Sequence, residues 1–475
     1  MLLAACRSPE SGPRPLEIVV SSEAETLDPR YAVDAVSHRI TRLVHRGLMT
    51  LDPTTLEPKR ALAESLRYVD DVTVDVTLVR DATFHSGKAL TAADVVATLR
   101  ALAAPAVHAR SARVVEPIAS VEETGPLSLR IHLHRPHATL ETDLELPILR
   151  ADEAFAPPRP DGSLDGLGPY RVSSMRSGEV ALTPARGSSA RSAVTVRTVR
   201  DENARALRLI AGRADVAVNV FSPSLMPAMA REGVHVATRP GANVTYLLLR
   251  ADRAPFERLE ARRAAALGVD RRRIVSGLLA GAASVATGAL PPSLWAHADA
   301  APLDFDGAAA GAAIRALGGL RFGLLTSPDR VRLSIARTIA QDMRDAGAEV
   351  EVTALELGSL LARLTAGDFD AAILNMPELT EPNVLRLFLH SASIPPAGTN
   401  RGRVRDAEID RLLDLAAQSR GKDERRALYA ALEARLRETH LFIPLWHEHQ
   451  ITVTSARTHG FLPSAEGRWL AIANY

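Results

Sequence analysis

Between Asp34 and Leu48 the apolar positions Val36, Ile40, Leu43, Val44 and Leu48 recur at intervals of three and four residues, which predicts a helix with one core-facing stripe. Upstream of it, Leu16 to Ser21 reads as a strand, and Leu27-Asp28-Pro29 marks a break. From Val72 to Val79 the pattern switches to period two: Val72, Val74, Val76 and Leu78 alternate with Thr73, Asp75 and Thr77, as in a strand with one buried face. The chain turns at Ser86-Gly87. Thr91-Ala92-Ala93-Asp94 then has the spacing of a capping box, followed by Val95, Val96 and Leu99 as the stripe of a second helix. Leu320 to Leu325, Val331 to Ala346 and Val350 to Leu355 read as strand, helix and strand, the unit from which mostly parallel sheets are built. Two further helical stripes run through Ile409, Leu412 and Leu413 (406–417) and through Leu428, Leu432 and Leu436 (423–438).

At 475 residues the chain exceeds the roughly 250–300 at which single cores stop growing, so two or three lobes are expected. No apolar run reaches the about 18 residues of a membrane helix. The 57 basic and 56 acidic residues are intermixed and leave a net charge of +1, which gives no field for holding nucleic acid. The one cysteine, Cys6, ends the run Met1-Leu2-Leu3-Ala4-Ala5-Cys6, which has the form of a bacterial lipoprotein processing site. It predicts a lipid-anchored body facing the periplasm or the outer side of the cytoplasmic membrane. Only five residues precede Cys6, too few for a secretory signal, so an upstream segment or a different start is expected.

Leu27-Asp28-Pro29, Arg46-Gly47-Leu48, Ala61-Leu62-Ala63-Glu64-Ser65, Phe84-His85-Ser86-Gly87-Lys88 and Leu90-Thr91-Ala92-Ala93-Asp94-Val95-Val96 occur in one order. With Gly168-Pro169-Tyr170, Arg262-Arg263-Ala264, Val269-Asp270-Arg271 and Phe442-Ile443-Pro444-Leu445, this series resembles the peptide/nickel solute-binding proteins of bacterial ABC importers, family 5. The matches run from about residue 18 to 461. The resemblance implies an α/β fold of the periplasmic-binding-protein type II kind, a two-lobe clamshell with an additional smaller domain. It assigns 1–13 to a tether, 14–47, 166–240 and 443–475 to lobe I, 48–165 to the extra domain, and 241–442 to lobe II.

The resemblance also implies a site. In peptide-binding relatives a carboxylate of the second lobe pairs with the ligand's free amine, in a segment of the form Trp-x-x-Asp-x-x-Asp/Glu-Pro. Here the stretch is Asn375-Met376-Pro377-Glu378-Leu379-Thr380-Glu381-Pro382, which puts Glu378 at the amine position, with Asn375 and Met376 beside it and Asn375 in place of the aromatic. Glu23, Ala24, Glu25 and Thr26 are expected to run alongside an extended peptide. Arg250 is the candidate cation for the ligand carboxylate, with Arg330 and Arg332 as alternatives.

His132-x-His134-x-x-His137 and His447-x-His449 have strand spacing compatible with metal ligands. No carboxylate or cysteine completes either set at short range, and Pro136 interrupts the first, so no metal site and no cofactor are expected. Nucleophile-elbow, zinc-protease, phosphate-loop and dinucleotide motifs are absent from the sequence, and an enzyme is not expected. The expected role is the substrate-binding component of an ABC importer that captures peptides in the interlobe cleft and delivers them to a membrane permease. ATP hydrolysis falls to separate subunits, and the binding protein acts as a monomer. A nickel or other metal complex, or another non-peptide solute, is the alternative ligand. A cytosolic ligand-sensing regulator is the alternative class, disfavoured because about fifteen residues before the first strand are too few for a DNA-reading module.

Overall fold

The structure, a computed structural model, describes residues 14–159 and 162–475; Cys6 and the expected tether lie outside these residues. The chain opens with strand β1 (Leu16–Val20), all five residues buried, and helix α1 (Ala35–Val44). Asp34 caps α1, its carboxylate accepting from the Val36 and Ser37 N–H groups at 3.1 and 2.8 Å. The apolar stripe through Val36, Ile40, Leu43 and Val44 faces the core as its spacing predicts, but the helix stops at Val44 rather than Leu48. The backbone turns to the extended conformation at His45, φ −118° and ψ 158°, and runs on to Gly47, where a Cβ would lie 2.5 Å from the Glu145 carbonyl oxygen.

Residues 48–167 then build a core of their own. It lies between a four-stranded antiparallel sheet, in the order 63–68, 73–78, 128–133, 118–125, and helix α2 (Ala92–Ala103). The cap of α2 forms where expected: the Asp94 carboxylate accepts from the Thr91 N–H and the Thr91 hydroxyl, both at 2.9 Å. Its second oxygen accepts from the Ala151 N–H at 2.8 Å, tying the helix to the following segment.

The rest of the chain forms one twelve-stranded sheet among the described residues. β2 (Val194–Thr198) and β3 (Val216–Val218) pair in parallel on either side of β1, and β4 (His235–Pro240) follows. Leu16, Ile18 and Val20 pack into one core and Val19 into another, because this part of the sheet is covered on both faces. β5 (Val244–Leu249), the short β6 (Ala283–Val285), β7 (Arg321–Thr326), helix α3 (Arg330–Asp345), β8 (Glu349–Ala354) and β9 (Ala371–Met376) belong to a second body with separate cores. β7, α3 and β8 are the βαβ unit read from periodicity, with β7 parallel to both β8 and β9.

The two bodies share one strand. β10 (Ile443–Thr454) pairs with β5 and β6 through its first half, and with β3 and β4 through its second. The other crossing between them is the corner Gly241-Ala242-Asn243, between β4 and β5. These two crossings lie side by side, which places residues 447–450 and 241–243 at the floor of the cleft between the lobes.

Candidate functional site

A cavity of about 580 Å3 opens where these pieces meet. Its walls include Ala35, His38 and Arg39 on α1; Asn375 at the end of β9 with Pro377 and Glu378 just after it; Asn219 and Phe221 after β3; and Asn243 with Glu448, His449 and Gln450 at the crossings.

The floor is built from side chains that stand in for ladder partners. Asn243 accepts from the Glu448 N–H at 2.8 Å through its Oδ1 and donates to the Glu448 carbonyl at 2.7 Å through its Nδ2. A Cβ at Gly241 would lie 2.3 Å from that same carbonyl oxygen, so only glycine fits there. On the other flank, Asn219 accepts from the Ile451 N–H at 2.8 Å, and the Gln450 amide donates to the Ala465 carbonyl at 2.8 Å. The Asn375 amide donates to Thr245 Oγ1 at 3.0 Å, and that hydroxyl donates to Glu448 Oε1 at 2.9 Å. Arg332 approaches the same Glu448 oxygen at 3.5 Å.

Glu378 is held by its neighbours. Met376 and Leu379 are both buried in the core of the second body, and the Leu379 N–H donates to the Ala242 carbonyl at 2.8 Å. Anchored on both sides, the chain turns through Glu378 at φ +52°, a left-handed conformation unusual for a residue with a Cβ. Its carboxylate comes within 3.7 Å of His38 Nδ1 across the cleft. The approach has ion-pair geometry, but burial first, and then the guanidinium fields of Arg42, Arg468 and Arg39, push the His38 imidazole down to about 3. The ring is therefore neutral at pH 7. Glu378 thus faces the cavity without a protonated partner in His38.

The expected site residues are divided by the fold. Asn375 and Glu378 line the cavity, whereas Met376 between them points into the core. Glu23 and Ala24 line a separate pocket of about 210 Å3 against Val36 and Ile40, a different face of α1 from the His38 and Arg39 face. Glu23 there accepts from the Gly178 N–H at 3.1 Å and pairs with Arg200 at 3.0 Å. The Glu25 and Thr26 N–H groups donate to Asp34 and Ser37 at the start of α1. Arg250 is engaged by Asp252 and by the Gly367 carbonyl, and Arg330 is exposed. Among the histidines considered as ligands, His137 bonds Asp143 at 2.6 Å, His447 the Asn243 carbonyl at 2.6 Å, and His449 the Ser284 hydroxyl at 2.9 Å. Among the described residues no group of three or more His, Cys, Asp or Glu side chains is placed to hold a metal ion. His38, Arg39, Asn219, Asn243, Glu448 and Gln450 were not anticipated; the run of polar residues inside β10 was the one sequence signal of them.

Residues 57–393 match the family model of bacterial extracellular solute-binding proteins, family 5 (middle). The chain belongs to this family. The glutathione-binding protein GsiB of Escherichia coli K12 is 24% identical to it over 466 residues, which cover 94% of this chain and 91% of the relative. Among solved structures, NikA from Brucella suis in complex with Fe(III)-EDTA superposes with a TM-score of 0.87 at 20% identity, covering 96% of this chain and 98% of that one. The oligopeptide-binding protein AppA from Bacillus subtilis in complex with a nonapeptide gives 0.81 at 21% identity, covering 97% and 99%. The fold is accordingly of the type II periplasmic-binding-protein kind, and the family role is that of the substrate-binding component of an ABC importer. Among the described residues no helix is long and apolar enough to cross a membrane.

Proposed function

We propose that the protein captures short peptides in the interlobe cavity, with Glu378 receiving the ligand's α-ammonium group, and passes them to a membrane permease served by separate ATPase subunits. The observation that carries this reading is the setting of Glu378: a carboxylate held in the cleft by buried neighbours on both sides, in a left-handed backbone conformation, facing a neutral imidazole. A partly buried carboxylate in that position gains most from a donor that brings its own positive charge. The cavity, at about 580 Å3, lies within the range of small-ligand sites. The glutathione-binding and oligopeptide-binding relatives support the same ligand class. Glutathione itself is a tripeptide-sized candidate, and its free amine suits Glu378. In this reading the protein is a monomer, anchored through a lipid on Cys6 to the outer side of the cytoplasmic membrane.

The test is calorimetric titration of peptides of two to five residues against the wild type and Glu378→Gln. A charge-assisted hydrogen bond contributes about 1.5–3 kcal/mol, so the substitution is expected to weaken binding roughly 10- to 150-fold with the thermal midpoint unchanged. N-acetylated peptides should bind the wild type as weakly as free peptides bind the variant. Equal affinity of both proteins for a free-amine peptide would remove Glu378 from the site.

A further inference from the structure

Arg39 is the one lysine or arginine among the residues that line the cavity. Its Nε is buried without a hydrogen-bond partner, and among the described residues its guanidinium makes no hydrogen bond and no ion pair at contact distance. It is held from behind instead. The guanidinium carbon lies 5.6 Å from the ring centroid of Trp469, an indole buried in the lobe I core with Val36 and Ile40 of the same helix. The side chain thus lines the cavity with its guanidinium uncommitted.

The carboxylates around it do not supply a contact partner. Glu448 is occupied by Thr245 and Arg332, and Glu466 sits with one oxygen 3.2 Å from the Arg468 guanidinium and the other buried without a hydrogen bond. Glu378 is the one whose field acts on Arg39, opposing the effect of burial, which draws the guanidinium's pKa downward. The cavity therefore sets an uncommitted carboxylate, Glu378, on lobe II against an uncommitted cation, Arg39, on lobe I, close enough to feel each other and not in contact. A planar, forked donor of this kind is matched by a carboxylate accepting two parallel hydrogen bonds.

We infer that Arg39 anchors the ligand's carboxylate, so that the site selects zwitterionic peptides with a free C-terminus, the ammonium on Glu378 and the carboxylate on Arg39. This rests on the peptide reading above and adds a second recognition point on the opposite lobe. A ligand charged at both ends would then bridge α1 and the segment after β9, and its two charges would replace the incomplete compensation between Arg39 and Glu378. A ligand lacking either charge would leave one of them buried and unpaired.

Trialanine and trialanine amide, titrated by calorimetry against the wild type, Arg39→Gln, Arg39→Lys and Glu378→Gln, test this. The wild type should prefer the free acid by about tenfold or more, the scale of one charge-assisted hydrogen bond. Arg39→Gln should weaken the acid until it matches the amide while leaving the amide within about threefold of its wild-type affinity, and Arg39→Lys should restore part of the preference. Glu378→Gln should weaken acid and amide alike. If Arg39→Gln weakens both ligands equally, its role is to hold α1 against Trp469, and the inference fails; it fails also if neither ligand is affected. If the wild type binds neither form, and no alanine peptide of two to five residues, the peptide reading itself is overturned and this inference with it.

Discussion

His45 follows the last residue of α1, and its ring is buried with neither nitrogen hydrogen-bonded among the described residues. Burial, reinforced by the nearby His85 and Arg42 and opposed by Asp165, pushes the imidazole down to about 3 from its ordinary 6.5. The folded-state value lies below the unfolded one, so the ring contributes stability that is fully present above about pH 6.5 and is lost as the pH falls towards 3. Each unit within that window costs about 1.4 kcal/mol. Between pH 7 and pH 5 the cost is about 2 kcal/mol, set almost wholly by the unfolded chain, because the folded ring is still neutral at pH 5. Replacing His45 by Leu removes the titration and two unpaired polar atoms, while the backbone N–H keeps its 2.8 Å bond to the Thr41 carbonyl. His45→Leu should match or exceed the wild type in stability at pH 7 and exceed it by about 2 kcal/mol more at pH 5. Urea unfolding at the two pH values, followed by tryptophan fluorescence, measures this; Trp469 shares its core with Leu43 and Val44 just before the substitution. His38, His440 and His447 are also pushed down and contribute to the acid sensitivity of both proteins, so the comparison between the two isolates His45. A difference between variant and wild type that does not change from pH 7 to pH 5 would refute the reasoning.

Two further substitutions address how the domains are joined. Arg468, beyond β10, pairs with Glu145 in the body of residues 48–167 through both Nη atoms, one at 2.9 Å, with all partners buried and Glu466 on its other side. Arg468→Met leaves Glu466 without its cation and Glu145 with Arg42 alone, 3.9 Å away, and should cost about 3–5 kcal/mol, with Glu145→Gln in the same chain recovering part of it; a single variant as stable as the wild type in calorimetric melting would contradict this. Gly241→Ala places a methyl 2.3 Å from the Glu448 carbonyl oxygen and 2.5 Å from Asn243 Nδ2. Since the backbone oxygen cannot move without breaking the strand, a loss of about 1–3 kcal/mol and a weakened ligand affinity are expected, and an unchanged melting profile would show that the crossing relaxes freely.

Much of the fold was legible because its elements follow simple periodicities. The predicted strand–helix–strand at 320–355 appears as Arg321–Thr326, Arg330–Asp345 and Glu349–Ala354, displaced by a residue at most. The late helices are Ala407–Gln418 and Lys422–Thr439, bounds equally close to those read from their stripes. β10 was harder. Its opening Ile443-Pro444-Leu445 was visible through resemblance, but His447-Glu448-His449-Gln450 breaks any apolar alternation, and a strand of twelve residues was not predicted there. Those polar residues sit where the strand passes from one lobe to the other and faces the cavity, so the local pattern fails at the functional surface. Arg39 was hidden for a related reason. On the helix it is a polar residue beside the apolar stripe, and its isolation becomes visible only when lobe II and Trp469 are set around it.

The location of the site at the two crossings has a mechanical consequence. On either side of the crossings the sheet is held by regular ladders, β5 to β9 over six residue pairs and β1 to β2 over five. Next to the crossings the register of β5 on β10 slips between Thr245 and Tyr246, and at the crossings several of the hydrogen bonds run from side chain to backbone, through Asn243, Asn219 and Gln450. Side-chain amides can follow a rotation by turning about their own bonds, whereas a ladder bond is lost when its strand turns away. A rotation of one lobe on the other would therefore concentrate at Gly241–Asn243 and His447–Gln450. Glu378 is tied to the first of these through the Leu379–Ala242 hydrogen bond, and Glu448 belongs to the second. Ligand contacts of the kind proposed at Glu378 and across to α1 would act directly on the segments that join the two bodies, so that affinity for a closed arrangement and the angle between the bodies would depend on the same few residues.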